Sequence, residues 1–104
     1  MSLHLARAPS ILPNMQRVHV VVSGEVQGVG FRWFVRQNAR ALGVNGWVRN
    51  RVDGCVESEA EGSAEALAAF LAAVREGPSR ARVEQMTEQH EEGPARHQGF
   101  SITG

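Results

Sequence analysis

The chain has 104 residues, which suits one domain with a single hydrophobic core and is too short for two. Its 11 Lys and Arg residues balance 11 Asp and Glu residues, which argues against a nucleic acid or an acidic membrane as the main partner. The single cysteine, Cys55, excludes an internal disulfide and fits a reducing compartment, so we expect a cytoplasmic protein.

The first 16 residues contain Arg7 and two prolines, but no apolar segment typical of a signal peptide. No other stretch of the sequence is apolar and long enough to span a membrane. We therefore expect residues 1–16 to form a flexible tail and residues 17–104 to form the domain.

A strand, a glycine-rich turn and a helix follow the tail. Valines at every second position predict a strand over Arg17–Ser23, and apolar residues at helical spacing predict a helix over Phe31–Leu42. The nine residues Gly24–Arg32 join them and include three glycines. Such a turn can gather backbone N–H groups into an anion-binding nest at the positive end of the helix dipole.

Arg32 is unusual at this position, because an arginine in the first turn of a helix opposes the helix dipole. A bound phosphate would reverse the sign of that effect, and the planar guanidinium suits a tetrahedral oxyanion. The alternative is that the glycines only make a tight turn and that Arg32 is a solvated helix residue, like Arg36 and Arg40.

A hairpin follows the first helix, which is predicted to end at Gly43. Strands are predicted over Asn45–Val52 and Cys55–Ala60, and Asp53-Gly54 between them is a strong hairpin-turn signal. Cys55 lies in a strand with no histidine near it in sequence, which favours a structural role over that of a nucleophile.

The second half of the chain repeats the order of elements. Ser63 is a plausible N-cap for a second helix, and Gly77-Pro78 ends that helix. A fourth strand is predicted over Ala81–Gln89, a polar loop over Glu91–Gln98, and a short closing strand over Phe100–Thr103.

The order βαββαβ predicts an α+β, ferredoxin-like split βαβ sandwich. It has an antiparallel sheet with two helices on one face, plus a short C-terminal strand. The first two strands run in the same direction, so their C-terminal ends share one edge of the sheet. We therefore expect Arg32, after the first strand, to lie near Asn50, toward the end of the second.

Three segments together carry a family resemblance that none carries alone. They are Gly24-x-Val26-Gln27-Gly28-Val29-Gly30-Phe31-Arg32, then Gly46-Trp47-Val48-Arg49-Asn50, then Asp53-Gly54-x-Val56-Glu57. At these spacings the chain, from about Arg17 to Ile102, resembles the acylphosphatase family. A related domain opens much longer maturation proteins; with nothing after residue 104, we expect this domain to stand alone.

The resemblance implies two catalytic residues, Arg32 and Asn50. It implies that phosphate is bound by the loop amides together with the arginine, and that Asn50 holds the attacking water. The implied phosphate-binding residues are Gln27, Gly28, Val29, Gly30, Phe31 and Arg32. Arg51-Val52 departs from the smaller or proline-containing turns common in relatives, which bears on access to the site.

The implied reaction is hydrolysis of a small acyl phosphate to a carboxylate and inorganic phosphate, with phosphate as product and inhibitor. No cofactor and no metal are expected, because Glu57, Glu59 and Glu61 look like a solvated strand face rather than a magnesium site. We expect a monomer, with no nucleic acid or membrane as partner.

Other classes of function fit less well. The turn lacks the Lys-Ser/Thr of a Walker loop and the glycine spacing of a dinucleotide fold. RNA-recognition domains share the βαββαβ order, but the strand Cys55–Ala60 has no aromatic residue for base stacking. The remaining alternative is a non-catalytic anion-binding or regulatory module that binds phosphate without turnover.

Overall fold

The computed structural model describes residues 14–104, which form seven helices and strands. The predicted tail, up to residue 13, lies outside the described residues. The bounds are β1 Asn14–Glu25, α1 Phe31–Leu42, β2 Asn45–Asn50, β3 Val56–Gly62, α2 Ala64–Glu76, β4 Arg82–Pro94 and β5 Phe100–Ile102.

The strands form one sheet in the order β4-β1-β3-β2-β5. The first four strands pair antiparallel, and β5 adds parallel to β2. This is the predicted ferredoxin-like sandwich, with β5 making the sheet mixed. Neither helix of the described part has the length and apolar content needed to cross a membrane.

The core lies between the two helices and one face of the sheet. Alternate residues of the strands point to that face, because successive side chains of a strand alternate in direction. Each helix contributes three buried apolar residues at helical spacing. The core residues include Val18, Val20, Val22, Val48, Val56 and Ala60 from the sheet, and Phe31, Val35, Ala39, Leu67, Phe70 and Val74 from the helices.

Two strands extend well beyond their predicted bounds. β1 begins at Asn14 and β4 ends at Pro94, because the two strands pair along their whole length with Asn14 opposite Pro94. The predicted loop over Glu91–Gln98 is therefore wrong up to Pro94. Beyond Gln89 this edge strand is mostly exposed and has no large apolar residue, so that part of the sequence lacks the apolar alternation that identifies a strand.

The sheet face away from the helices, here called the open face, is crossed at one end by residues 95–99. This segment has to join β4 at one edge of the sheet to β5 at the other. The backbone N–H groups of Arg96 and His97 donate to Glu61 Oε1 on the way, at 2.8 and 2.7 Å. The N–H of Gly99 donates to Asn45 Oδ1 at 3.2 Å.

The expectation that Glu57, Glu59 and Glu61 form a solvated strand face is wrong. Glu61 is 0% exposed and Glu57 is 8% exposed. Arg17 of the neighbouring strand is 2% exposed, and its Nε lies 3.4–3.9 Å from carboxylate oxygens of Glu59, Glu61 and Glu91. The segment 95–99 and Arg17 cover Glu59 and Glu61, and His19 and Arg49 contact Glu57. The alternation along β3 does not reveal these contacts.

We call this group the open-face cluster. Burial alone would raise the pKa of Glu57, but hydrogen bonds from Arg49 at 2.8 Å and His19 at 2.6 Å hold it below its ordinary value. His97 Nε2 lies 2.7 Å from Glu59 Oε2. The cluster comprises Arg17, His19, Arg49, Glu57, Glu59, Glu61, Glu91, Arg96 and His97.

Candidate active site

The glycine loop, residues 26–30, adopts a conformation that gathers N–H groups. Gly28 and Gly30 have φ angles of 75° and 79°, while Val29 between them has a negative φ. Alternation between left- and right-handed residues is the geometry of an anion nest. A Cβ at Gly28 or Gly30 would meet no atom within 4 Å, so the backbone angle, not crowding, requires glycine here.

The N-terminus of α1 leaves its backbone donors free. The N-cap is Gly30, which offers no side-chain cap, and the first turn contains no acidic residue. Counting from the N-cap along the helix, the first backbone N–H with a hydrogen-bond partner is that of Phe34, which donates to Gly30 O at 3.0 Å. Within residues 14–104, the N–H groups of residues 27–33 donate to no protein acceptor. They therefore form a site for an anion at the positive end of the helix.

Arg32 and Asn50 lie at the same cavity, of about 200 Å³, although they come from different elements. Arg32 is exposed in the first turn of α1, and its side chain forms no hydrogen bond or ion pair with any residue in 14–104. Asn50 is the last residue of β2. The other lining residues are Val26, Gly28, Gly30, Phe31, Trp33 and Ile102.

The side chain of Asn50 has a free acceptor. Its Oδ1 is buried and accepts no hydrogen bond from any residue of the described chain. Buried polar atoms in proteins are nearly always hydrogen-bonded to protein or to ordered water. An amide oxygen can accept from water but cannot remove a proton at neutral pH. The arrangement can therefore hold a water molecule beside the anion site.

Gln27 and Val29 do not line the cavity with their side chains. Val29 packs against the hydrophobic core. The Gln27 side chain instead donates from Nε2 to the backbone carbonyls of Arg51 at 2.7 Å and Cys55 at 2.9 Å. Their contribution to the anion site is through backbone N–H groups. The sequence does not reveal this contact with the hairpin turn, because Gln27 is 24 positions away from Arg51 and 28 positions away from Cys55.

A second cavity, of about 420 Å³, meets the first at Asn50. Arg51 and Val52, the departure from the family pattern, line this second cavity. Val52 is fully exposed at the hairpin tip. Arg51 forms an ion pair with Asp53 at 2.8 Å, so its charge is already partnered. A hydrogen bond from Cys55 N–H lowers the pKa of Asp53, and Arg51 adds to that effect.

Cys55 is a free thiol next to this turn. Burial raises its pKa, and the neighbouring Asp53 carboxylate raises it further. A raised pKa reduces the fraction of reactive thiolate at neutral pH. These surroundings support the predicted structural role of Cys55.

Comparison with known proteins agrees with the resemblance seen in the sequence. The family model for acylphosphatase matches residues 18–102. The chain is 47% identical to an acylphosphatase of Salinibacter ruber over 87 residues, which is 84% of this chain and 92% of that protein. It is 46% identical to one from Thermococcus kodakarensis over 88 residues, 85% of this chain and 96% of that protein.

A solved structure agrees as well. The crystal structure of acylphosphatase from Bacillus subtilis superposes with a TM-score of 0.83 at 39% identity. The match covers 86% of this chain and 99% of that one.

Proposed function

This chain belongs to the acylphosphatase family, and we propose that the cavity between the glycine loop and Asn50 is its catalytic site. The protein is an enzyme that hydrolyses acyl phosphates to a carboxylate and inorganic phosphate. The proposal concerns which residues of this chain carry out each part of that reaction.

The phosphoryl group is assigned to the loop N–H groups of residues 27–32 and to the guanidinium of Arg32. These donors have no partner within residues 14–104, and together they offer positive charge from both the helix dipole and the side chain. Phosphoryl transfer needs mainly positioning and stabilisation of charge on the phosphate oxygens. The product phosphate would keep the same contacts, so we expect it to inhibit.

The attacking water is assigned to Asn50 Oδ1. The observation that carries the proposal is that this buried acceptor has no protein partner in the described chain. It lies at the same cavity as the N–H groups that would bind phosphate. The water oxygen forms a bond to phosphorus while the bond from phosphorus to the acyl oxygen breaks, and its electron pair leaves with the carboxylate. The water proton passes to a phosphate oxygen.

No acid catalyst is required by this mechanism, because a carboxylate with a pKa of about 4 is a good leaving group. A phosphate monoester has a far poorer leaving group and would need one. The mechanism also requires no metal ion, since the loop and Arg32 supply the positive charge. We further propose a monomer in the cytoplasm, where the single cysteine would stay reduced.

The test is release of phosphate from acetyl phosphate and from p-nitrophenyl phosphate, each measured with a metal chelator present. We expect rapid turnover of the acyl phosphate and little turnover of the monoester. Equal turnover of both substrates, or loss of activity with the chelator, would contradict the mechanism. Inhibitor-like binding of phosphate without any turnover would instead identify a non-catalytic anion-binding module.

A further inference from the structure

We infer that Gln27 is a positioning residue that holds the hairpin turn against the glycine loop and so places Asn50 relative to the phosphate. The inference rests on the proposed function, in which phosphate and water are held by separate segments of the chain. Residues 27–32 belong to the connection from β1 to α1, whereas Asn50 belongs to β2. A reaction between the two ligands requires a fixed distance between those segments.

The contact is made by one side-chain amide with two acceptors. Gln27 Nε2 donates to Arg51 O at 2.7 Å and to Cys55 O at 2.9 Å. An amide nitrogen has two N–H groups, so both of its donors are used on the turn. Both acceptors are backbone atoms, and the contact therefore fixes the path of the chain rather than one rotamer.

These two carbonyls lie at the base of the turn and flank Asn50. Arg51 follows Asn50 directly, and Cys55 precedes Val56, the ladder partner of Asn50. The same two carbonyls also accept hydrogen bonds inside the turn, from Gly54 N–H at 3.2 Å and from Arg51 N–H at 2.9 Å. Gln27 thus connects the glycine loop to the hairpin turn directly after Asn50, the last residue of β2.

The turn's other hydrogen bonds close it internally and do not connect it to the glycine loop. Val52, Asp53 and Gly54 are exposed, and exposed turns with few buried contacts move readily. A displacement of about 1 Å in a reacting group can lower a rate on the order of a hundredfold. Loss of the Gln27 contact should therefore affect the water on Asn50 much more than the phosphate on the loop.

The experiment compares Gln27→Met, which keeps the length of the side chain and removes both donors, with Gln98→Met as a matched control. Gln98 is exposed in the segment 95–99, outside both cavities. For each variant, kcat for acetyl phosphate and the inhibition constant of inorganic phosphate are measured. We expect Gln27→Met to lower kcat by roughly ten- to a hundredfold with phosphate inhibition changed less than twofold. Gln98→Met should match the wild type.

A double-variant cycle with Asn50→Ala separates positioning from a general structural role. If Gln27 acts through Asn50, Gln27→Met should cost less than about threefold in kcat once Asn50 is already alanine, because effects within one unit are not additive. Multiplicative effects of the two changes, or a parallel loss of phosphate inhibition, would overturn the inference.

Three further outcomes lead to different conclusions. If Gln27→Met does not fold, Gln27→Asn takes its place, because it keeps the donors on an arm too short to reach both carbonyls, and the same expectations apply. If the wild type is active and the folded variant is equally active, the inference about Gln27 alone fails. If the wild type does not release phosphate from acetyl phosphate, the proposed function fails and this inference fails with it.

Discussion

Arg32 and Arg17 occupy opposite electrostatic surroundings in the same small domain. Arg32 is exposed at the start of α1 and contacts no carboxylate among residues 14–104. Arg17 is buried on the open face, where its Nη2 donates to Pro94 O at 3.0 Å and its Nε faces three carboxylates. The Arg32 guanidinium faces no carboxylate in the described chain, whereas the charge of Arg17 is balanced by carboxylates of the fold.

The same contrast extends to the neighbouring groups. At the loop edge, the N–H groups of residues 27–33 and Asn50 Oδ1 have no protein partner in the described chain. On the open face, Glu57 contacts two partners, and both Oε2 of Glu59 and Oε1 of Glu61 accept from the crossing segment or its side chains.

Charge alone therefore does not identify the site in this protein. The open-face cluster contains more ionisable groups than the loop edge, but they are partnered with one another. On the open face, Arg17 Nε and Glu61 Oε2 also lack hydrogen bonds, but these opposite charges lie 3.7 Å apart. The donors and the one acceptor of the loop edge have neither a hydrogen bond nor an opposite charge beside them in the described chain. A ligand that forms hydrogen bonds with such unsatisfied groups can gain binding free energy, because no protein partner has to be displaced.

The largest effect that we expect is loss of turnover on removing Arg32. Arg32→Ala should lower kcat/KM for acetyl phosphate on the order of a thousandfold and weaken inhibition by phosphate, because it removes charge from ground and transition states alike. Arg32→Lys keeps the charge but loses the planar fork, so it should restore phosphate inhibition better than rate. Full turnover in Arg32→Ala would remove the catalytic role from this side chain.

The next effect separates two asparagines at opposite ends of β2. Asn50→Ala should lower turnover on the order of a hundredfold while leaving phosphate inhibition nearly unchanged, because Asn50 is assigned to water. Asn45, whose Oδ1 already accepts from Gly99 N–H at 3.2 Å, is the matched control, and Asn45→Ala should keep the wild-type rate. A loss of phosphate inhibition in Asn50→Ala as large as in Arg32→Ala would show that the assigned roles are wrong.

The smallest effect concerns the open face and its dependence on pH. The pKa of Glu57 is lower in the folded protein than its ordinary value of 4.5, so its contribution to stability is complete above that value and is lost as pH falls through the folded pKa. The difference in free energy of unfolding between wild type and Glu57→Gln should shrink as the pH falls below 4.5. Denaturant titrations at several pH values measure it. If the difference in free energy of unfolding grew as the pH fell, the predicted direction of the Glu57 pKa shift would be wrong.

Much of the loop edge could be predicted from the sequence, because its determinants are local. Three glycines, the helix that begins at Phe31 and the Asp53-Gly54 turn each leave a signal within a few residues. Strand direction then follows from the order of elements and places Arg32 and Asn50 at one edge. Their shared cavity agrees with that deduction.

The open face could not be predicted in the same way, because its determinants are distant in sequence. Alternation along β3 assigns Glu57 and Glu61 to one face but does not say what covers that face. Glu61 is covered by residues 95–99, whose path depends on β4 and β5 lying at opposite edges, and Glu57 is contacted by His19 and Arg49 from the neighbouring strands. The side-chain contact of Gln27 with the hairpin has no signal in the sequence for the same reason.

The most direct test compares the two arginines in one experiment, with thermal unfolding and acetyl phosphate turnover measured on Arg32→Met and Arg17→Met. Arg32→Met should lose turnover on the order of a thousandfold with its Tm nearly unchanged, since it breaks no contact in the described chain. Arg17→Met leaves the fully buried Glu61 carboxylate without its ion-pair partner, so it should lose about 3–5 kcal/mol of stability. Its Tm should then fall by roughly 15 °C or more, while its turnover below the transition stays within a few-fold of wild type. A folded Arg17→Met as inactive as Arg32→Met, or an Arg32→Met as destabilised as Arg17→Met, would contradict the account.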